Sequence, residues 1–306
     1  MPNDVRRAAR LVECVPNFSE GRRPEVIAAI RDAIAAAPGA AVLDVHTDAW
    51  HNRSVVTFVA PPEAAADAAF AGIARAVALI DLTRHAGVHP RLGAADVVPF
   101  VPLAGYGTAM ADCVVAARAL GARVGAELGV PVYLYERAAT RPDRVNLADV
   151  RRARTGPPDF GPAAPHPTAG CAVVGARDFL VAFNVYLGPA ANMPAARAVA
   201  RAVRASSGGL PGVKALALEV DGQAQVSMNL VDVDRTPPAV AYEAVRRAAL
   251  AHGVAPMWSE LVGLVPERTL DVATAHRIGL RDFGPHCLLE RRISDALACP
   301  LGTARR

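Results

Sequence analysis

Lysine is nearly absent from this chain of 306 residues, in which Lys214 is the only one. A single lysine excludes a lysine-rich tail for binding nucleic acid. It also excludes a phosphate-binding P-loop, because that motif needs a Gly-Lys pair and the chain has none. Arginine supplies the other basic side chains, and the net charge is only +4.

Cysteines and aromatic residues are also scarce. The cysteines are odd in number and widely spaced, without a Cys-x-x-Cys pair, which argues against a disulfide framework and a structural zinc site. We expect reduced, mostly buried thiols. Aromatic residues make up only 5% of the chain, and the strand pattern RSVVTFVA (53–60) lacks the Lys/Arg-Gly-Phe run of an RNA-binding sheet. No nucleic-acid partner is expected. The cysteines are Cys14, Cys113, Cys171, Cys287 and Cys299.

Long apolar runs are missing as well. No stretch approaches the ~18 apolar residues of a membrane span, and the first residues lack the apolar segment of a signal peptide. The composition, 52% hydrophobic and 20% charged, supplies buried cores and is unlike that of disordered chains. We therefore expect a soluble cytoplasmic protein that does not bind membranes. At roughly 150 residues per domain, the length favours about two domains.

The first half of the chain alternates between strand and helix patterns. Val26, Ile27, Ile30 and Ile34 recur at helical spacing, and short β-branched runs are typical of strands. Prolines inside the last strand predict an edge strand or a bulge. The predicted elements are a strand at 11–15, a helix at 24–37, strands at 41–46 and 53–60, a helix at 62–80 and a strand at 96–103.

The second half repeats this order at an offset of roughly 165–170 residues. Its elements are a strand at 179–187, a helix at 193–205, strands at 213–220 and 224–233, a helix at 237–252 and a strand at 260–266. Each half matches the ferredoxin-like β-α-β-β-α-β plan, so we predict an α/β (α+β) protein with two such subdomains. Between them lie a predicted helix at 107–128, a strand at 131–135 and an irregular stretch from Ala138 to about Gly175.

Residue types suited to catalysis concentrate in two loops. We propose that the loops converge, although the strand order alone does not require it. The first loop and the strand before it contain Asp44, His46, Asp48, His51, Asn52 and Arg53, and the second contains Arg84, His85, His89, Arg91 and Asp96.

Three interpretations of these residues stay open. They are ordinary surface-loop residues, or they hold zinc or manganese for hydrolysis, or one histidine is a general acid and base. An imidazole with a pKa near ~6.5 can accept and return a proton at neutral pH. Metal is the weaker functional interpretation, because Pro90 directly follows His89 and a helical His-x-x-x-His pair with a glutamate is absent. No metal is expected.

Several longer blocks resemble the formiminotransferase family, in order and over nearly the whole chain. They are LVECVPNFSEG (11–21), LTRHAGVHPRLGAADVVPF (82–100), PVYLYE (131–136), PDFGP (158–162), GARDFLVAFNVYL (175–187), QVSMNLVD (225–232) and ELVGLVP (260–266). The resemblance implies two ferredoxin-like subdomains, 9–178 and 179–306, with a folate cleft between them. It also implies glutamate formimidoyltransferase activity, the transfer of a formimino group between N-formimino-L-glutamate and tetrahydrofolate in histidine degradation.

The resemblance also implies functional residues. The second histidine of the family's Arg-His-x-Gly-x-His-Pro-Arg motif is the catalytic acid/base, and that position is His89. From the chemistry of the transfer, and not from the resemblance, we further expect Asp44 to stabilise its positive charge and Arg53 and Arg91 to bind substrate carboxylates, because a guanidinium can bind a carboxylate bidentately. The implied folate-binding segment, in the N-terminal subdomain with the histidine, comprises Gly161, Pro162, Ala163, Ala164, Pro165, His166, Pro167, Thr168, Ala169 and Gly170.

The expected partners are small molecules: N-formiminoglutamate, and tetrahydrofolate or its polyglutamates as co-substrate. The family and the base rate for oligomers favour a homodimer.

Two departures from the family pattern stand out. His46 replaces an aspartate of some relatives, and the folate segment lacks aromatic residues. Stacking on the pteridine is then either weaker or supplied from elsewhere, with Tyr106, Tyr133 and Trp50 as candidates. Alternative functions are folate-dependent formyl transfer to or from glutamate, or a metal-dependent amidohydrolase.

Overall fold

The computed structural model describes residues 10–87, 91–153 and 156–298. These residues form two compact units, one that ends at Asp178 and one that comprises Phe179–Ala298. The helices are α1 (Pro24–Ala35), α2 (Pro62–Leu79), α3 (Met110–Glu127), α4 (Leu147–Ala153), α5 (Met193–Val203), α6 (Pro238–Leu250), α7 (Val272–Arg277) and α8 (Leu289–Ala298). The strands are β1 (Val12–Cys14), β2 (Asn17–Phe18), β3 (Ala41–Asp48), β4 (Arg53–Ala60), β5 (Ala95–Pro102), β6 (Val132–Glu136), β7 (Ala172–Ala176), β8 (Val181–Pro189), β9 (Val213–Val220), β10 (Gln223–Leu230) and β11 (Trp258–Val262).

The first unit is built on a seven-stranded sheet. β1 and β2 each pair with β4 on one side and β5 on the other, so they form one central strand interrupted at Val15 and Pro16. β3 pairs with the far side of β4. The first β-α-β unit is therefore split by β4, which lies between its two strands, as the ferredoxin-like plan requires. The predicted plan of the first half is confirmed.

One face of this sheet is covered by α1, α2 and α3. Pro24 occupies the first turn of α1, where a missing N–H costs no helical bond. The apolar residues of α1 recur every three to four positions, so Ile30 and Ile34 face the sheet and are fully buried. Ile73 of α2 and Leu120 of α3 join the same core.

The fourth predicted strand is not at an edge. β5 pairs with the central strand on one side and in parallel with β7 on the other. The bulge alternative fits better, because the register shifts opposite Asn17 and Phe18. Pro99 is tolerated because it lies next to the break in the central strand, where its carbonyl oxygen accepts the N–H of Val15 at 3.1 Å.

The central stretch is more regular than predicted. It contains α4, and its last residues form β7, which pairs in parallel with both β5 and β6. Short segments of this kind have little local signal, and long-range pairing decides their structure. Val150 of α4 packs against Val97, Tyr133 and Val173 on the face of the sheet opposite α1–α3.

The second unit is a four-stranded antiparallel sheet in the order β11-β8-β10-β9. Here too the first β-α-β unit is split, because β10 lies between β8 and β9. α5 and α6 pack on one face, where Val185, Val199, Val226 and Val245 form part of the core. The predicted plan of the second half is also confirmed, although β11 ends at Val262 and not at residue 266. Gly263 then adopts a left-handed conformation with φ 81°, which leaves the strand.

The sequence contains α7 and α8 after this plan, neither of which was predicted. Across the described ranges, the helices are too short or too polar to cross a bilayer. The folate cleft between the subdomains stays a prediction.

Candidate active site

The pattern of β3 places the first set of polar residues on one face of the first sheet. Val45 packs into the core beneath α1–α3, and side chains alternate between the two faces along a strand. Asp44, His46 and Asp48 therefore lie on the opposite face. Arg53 of β4 is directly opposite Asp48, and cross-strand partners share a face. We call the face of the first sheet opposite α1–α3 the site face.

Asp48 is bound to the loop that follows it. Its Oδ2 lies 2.5 Å from Nδ1 of His51, and its Oδ1 accepts the backbone N–H groups of Trp50 and His51, each at 2.8 Å. Burial alone would raise the pKa of Asp48, but the hydrogen bonds from His51 and Trp50 outweigh it and lower the pKa to about 2. Asp48 is therefore ionised at neutral pH and accepts hydrogen bonds from this loop.

The two loops converge, as proposed from the sequence. Asn52 has a left-handed backbone with φ 47°, its Oδ1 accepts the N–H of Gly21 at 2.9 Å, and its Nδ2 donates to the carbonyl oxygen of Ala86 at 3.0 Å. Arg91 donates from Nη2 to the carbonyl oxygen of His51 at 3.0 Å. Side chains from each loop thus bind the backbone of the other.

Arg91 also faces a histidine of its own loop. Its Nη1 lies 2.6 Å from Nδ1 and 2.7 Å from Nε2 of His85. A neutral imidazole has only one acceptor nitrogen, so one of these contacts is the hydrogen bond. Burial, and then the charge of Arg91, lower the pKa of His85 below its ordinary value. The ring is therefore neutral at pH 7 and accepts from Arg91.

A group of arginines surrounds an acidic residue on the site face. Arg53 donates to Oδ1 of Asn17, and Asp96 binds Nη2 of Arg151 at 2.5 Å. Burial lowers the pKa of Arg53 to about 10; Asp96 counteracts this, whereas Arg151 and Arg91 add to it. Arg53 is still charged at neutral pH. Sequence reasoning missed Arg151, because it lies in the central stretch that was predicted to be irregular.

The segment 161–170 is attached to the second loop by its backbone. The N–H groups of His166 and Gly170 each donate to the carbonyl oxygen of the other, at 2.9 and 3.0 Å, which closes a turn. The carbonyl oxygen of Thr168 accepts the N–H of Leu82 at 2.8 Å. The residues before this turn, from position 161 to 165, are exposed. The segment therefore combines a fixed end with an accessible one.

The residue before this segment, Phe160, is seated in a notch of α3. A Cβ atom at Gly121 would lie 2.9 Å from the ring of Phe160, and one at Gly125 would lie 2.6 Å from the nitrogen of Gly161. Both distances are too short for a real side chain. The two glycines are required because the chain approaches the helix so closely.

A buried ion pair fixes the adjacent Asp159. Its Oδ2 lies 2.5 Å from Nη1 of Arg144 and accepts the N–H of Leu134 at 2.8 Å. Arg144 is only 1% exposed, donates to the carbonyl oxygen of Pro157 at 2.5 Å and lies over the ring of Tyr133. This pair therefore holds the residues just before segment 161–170 against β6.

A depression of about 300 Å³ lies between this segment and the second loop. Within the segment, Nδ1 of His166 accepts the N–H of Ala169 at 3.0 Å, so the ring orientation is fixed. The residues that line the depression include Leu82, Thr83, Arg91, Leu92, Pro165, His166 and Gly170. Arg91 therefore touches both the convergent loops and this depression.

Two family models match consecutive parts of the chain. Residues 11–177 match the family model described as "Formiminotransferase domain, N-terminal subdomain", and residues 182–282 match "Formiminotransferase domain". The chain belongs to the formiminotransferase family.

Individual proteins similar to this chain support the same assignment. It is 48% identical to "Glutamate formimidoyltransferase" of Thermoplasma acidophilum over 94% of this chain and 98% of that protein. The protein of the same name from Streptococcus pyogenes is 39% identical, over 91% of this chain and 96% of that protein. "Formimidoyltransferase-cyclodeaminase" of Rattus norvegicus is 41% identical over 87% of this chain, which corresponds to 52% of the rat protein. The family uses tetrahydrofolate as co-substrate.

Of the four predicted catalytic and substrate-binding residues of this formiminotransferase, three lie in described regions. Asp44 and Arg53 share the site face, and Arg91 lies at the convergence of the loops. His89 falls within 88–90, outside the described residues, so its role and its pairing with Asp44 stay predictions. His46 is half-buried at the position where some relatives have an aspartate.

Two further predictions concern the aromatic residues and the binding of a metal. Tyr106 and Tyr133 are buried, whereas Trp50 is 53% exposed, so only Trp50 is accessible among the residues considered for pteridine stacking. In the part of the chain that the structure describes, no group of three or more histidine, cysteine, aspartate or glutamate side chains is arranged to hold a metal ion.

Proposed function

We propose that this chain is a glutamate formimidoyltransferase. It moves the formimino group from N-formimino-L-glutamate to tetrahydrofolate, giving 5-formiminotetrahydrofolate and L-glutamate, in histidine degradation. The observation that carries the proposal is the position of Arg91, which binds the carbonyl oxygen of His51 and lines the depression beside segment 161–170. One side chain thereby connects the two polar loops with the segment that corresponds to the folate-binding segment of the family.

The proposed chemistry needs one group that both accepts and donates a proton. The attacking nitrogen of tetrahydrofolate must lose a proton, and the departing nitrogen of glutamate must gain one. A histidine can do both in sequence near neutral pH, with a gain of ~10²–10⁴ in rate. We assign this role to His89, with Asp44 as the carboxylate that stabilises its positive charge.

The environments of His51 and His85 support this assignment, because each of these two rings contacts a charged side chain. His51 is bound to Asp48 through Nδ1, and His85 is held neutral beside Arg91. Burial and a cationic neighbour make the protonated form of His85 unfavourable. The His85 ring is therefore not suited to take up a proton and return it during the reaction.

The substrates are anionic, and the cations of the site match them. Formiminoglutamate carries two carboxylates, and folate carries at least one glutamyl tail. Arg53 and Arg91 bind these carboxylates, since a guanidinium fork pairs with a carboxylate through two hydrogen bonds. Segment 161–170 binds the folate, and its exposed first half is available for contact with the pterin or the tail.

The remaining expectations belong to the same proposal. The enzyme acts in the cytoplasm as a homodimer, accepts tetrahydrofolate or its polyglutamates, and needs no metal. A transfer assay in the presence and absence of a chelator tests the last point, because a metal-dependent amidohydrolase would lose activity with the chelator.

The decisive experiment is a spectroscopic transfer assay with formiminoglutamate and tetrahydrofolate, run beside formylglutamate as the alternative donor. The wild-type chain is compared with His89→Ala and with His252→Ala, an exposed histidine of the second unit that serves as the matched control. We expect His89→Ala to lose about 10²-fold or more in rate and His252→Ala to keep full activity. A folded His89→Ala variant with near-normal transfer would refute the assignment, and preference for formylglutamate would change the donor.

A further inference from the structure

We propose that Arg151 of α4 binds a glutamyl carboxylate together with Arg53 and Arg91. This inference rests on the proposed function and adds a residue to its binding site. The carboxylate belongs either to the amino-acid substrate or to the glutamyl tail of folate, since both carry the same group.

The helix α4 carries Arg151 onto the site face. Val150 packs against Val97 and Tyr133 on that face, and the next residue then reaches Asp96, whose Oδ2 lies 2.5 Å from Nη2 of Arg151. The following residue, Arg152, points away: its side chain is 74% exposed and pairs with Asp149 on the same helix. Two adjacent arginines of one helix thus have different environments.

The charges around Asp96 do not balance. Asp96 is 3% exposed at its side chain and is bound to Arg151, yet its charge also acts on Arg53 and Arg91. Two carboxylates, Asp96 and Asp48, therefore act on three guanidinium groups, and Asp48 is at the same time hydrogen-bonded to His51. Like charges held close together in a partly buried site disfavour one another, so an anionic ligand would be stabilised there.

The guanidinium fork of Arg151 is only half used. Nη2 binds Oδ2 of Asp96, whereas the other oxygen, Oδ1, accepts the N–H of Leu92 at 2.7 Å. Nε of Arg151 is buried and has no hydrogen-bond partner in the described part of the chain. A guanidinium prefers to bind carboxylate oxygens in pairs. The side chain is 20% exposed, so it is not sealed from solvent, and it retains hydrogen-bonding capacity for a ligand.

The test compares Arg151→Gln with Arg152→Gln, its exposed neighbour. Isothermal titration calorimetry measures the binding of L-glutamate, of folic acid and of pteroic acid, which lacks the glutamyl tail. We expect Arg151→Gln to weaken either L-glutamate or folic acid by about tenfold or more and to leave pteroic acid unchanged, and Arg152→Gln to match the wild type. The ligand that is weakened identifies the source of the carboxylate.

Because Arg151→Gln leaves Asp96 without its partner, two further variants separate binding from folding. Arg151→Lys keeps the charge but not the fork, and the double variant Asp96→Asn/Arg151→Gln removes both charges. We expect the double variant to fold and to bind as weakly as Arg151→Gln, and Arg151→Lys to lie between it and the wild type. Wild-type affinity for L-glutamate and folic acid in a folded double variant would overturn the inference and leave the proposed function intact. If the wild-type chain neither binds L-glutamate nor transfers the formimino group, the proposed function fails and this inference fails with it.

Discussion

The ion pair between Arg144 and Asp159 gives a sharp test of how the site is supported. Arg144→Met removes one partner of a pair in which the side chains are 1% and 8% exposed. Breaking a buried pair in this way costs ~3–5 kcal/mol, because the remaining charge is left without its partner. Asp159 still accepts the N–H of Leu134. We therefore expect the lower part of this range, about 3 kcal/mol.

Differential scanning calorimetry measures the effect. In a unit of this size, 1 kcal/mol corresponds to about 2–4 °C, so we expect the melting temperature to fall by about 6–12 °C. Arg141→Met is the matched control, because its pair with Asp143 is 45% and 39% exposed and such pairs contribute at most about 1 kcal/mol. Amide exchange of β6 shows whether the loss lies in the first unit. If the two variants melt within about 2 °C of each other, the buried pair does not stabilise the fold as argued.

Two other predictions concern the convergent loops. Gly21→Ala would place a Cβ atom 2.2 Å from the backbone oxygen of Asp48, so we expect a lower melting temperature and reduced transfer activity, whereas Gly105→Ala, with nothing within 4 Å, leaves both unchanged. Equal behaviour of the two alanine variants would contradict the close approach. The pKa of Asp48 is lowered to about 2, so its stabilisation is complete above about pH 4 and is lost as the pH falls towards 2. This stabilisation amounts to about 2 kcal/mol. In urea denaturation, we expect Asp48→Asn to be less stable than the wild type by that amount at pH 6 and nearly as stable as the wild type at pH 2. A stability difference that does not change with pH would refute the linkage.

Much of the fold could be predicted because local sequence patterns indicate most helices and strands of each repeat. Apolar residues at helical spacing define α1, and short β-branched runs define β3 and β4. β7 could not be found in this way, because its five residues, Ala172–Ala176, are defined by parallel pairing with β5 and β6, which come from distant parts of the chain. α4 was missed for a related reason, since its seven residues lie in a stretch rich in proline, glycine and arginine.

The candidate site was predictable in its residue types and less so in its geometry. The histidines, aspartates and arginines of the two loops stand out in the sequence, but their convergence depends on Asn52 and Arg91 reaching across the loops. The arginine on α4 gave no signal, because an arginine in an arginine-rich chain is ordinary until its neighbours are known. Segment 161–170 was identified only through family resemblance, since its sequence contains none of the aromatic residues that would suggest a pterin.

The last strand of each repeat has an outer edge that residues later in the chain cover. Without β7, the outer edge of β5 would present unpaired N–H and C=O groups. In the second unit, the segment around Leu280 covers the outer edge of β11. The N–H of Ser259 donates to the carbonyl oxygen of Gly279 at 2.9 Å, and the N–H of Arg281 donates to that of Ser259 at 3.0 Å. Bare edges of this kind invite pairing with other chains. A fragment cut at the limits of either six-element repeat would therefore be prone to aggregate through this edge. Fragments of this protein should keep the segments that follow each repeat.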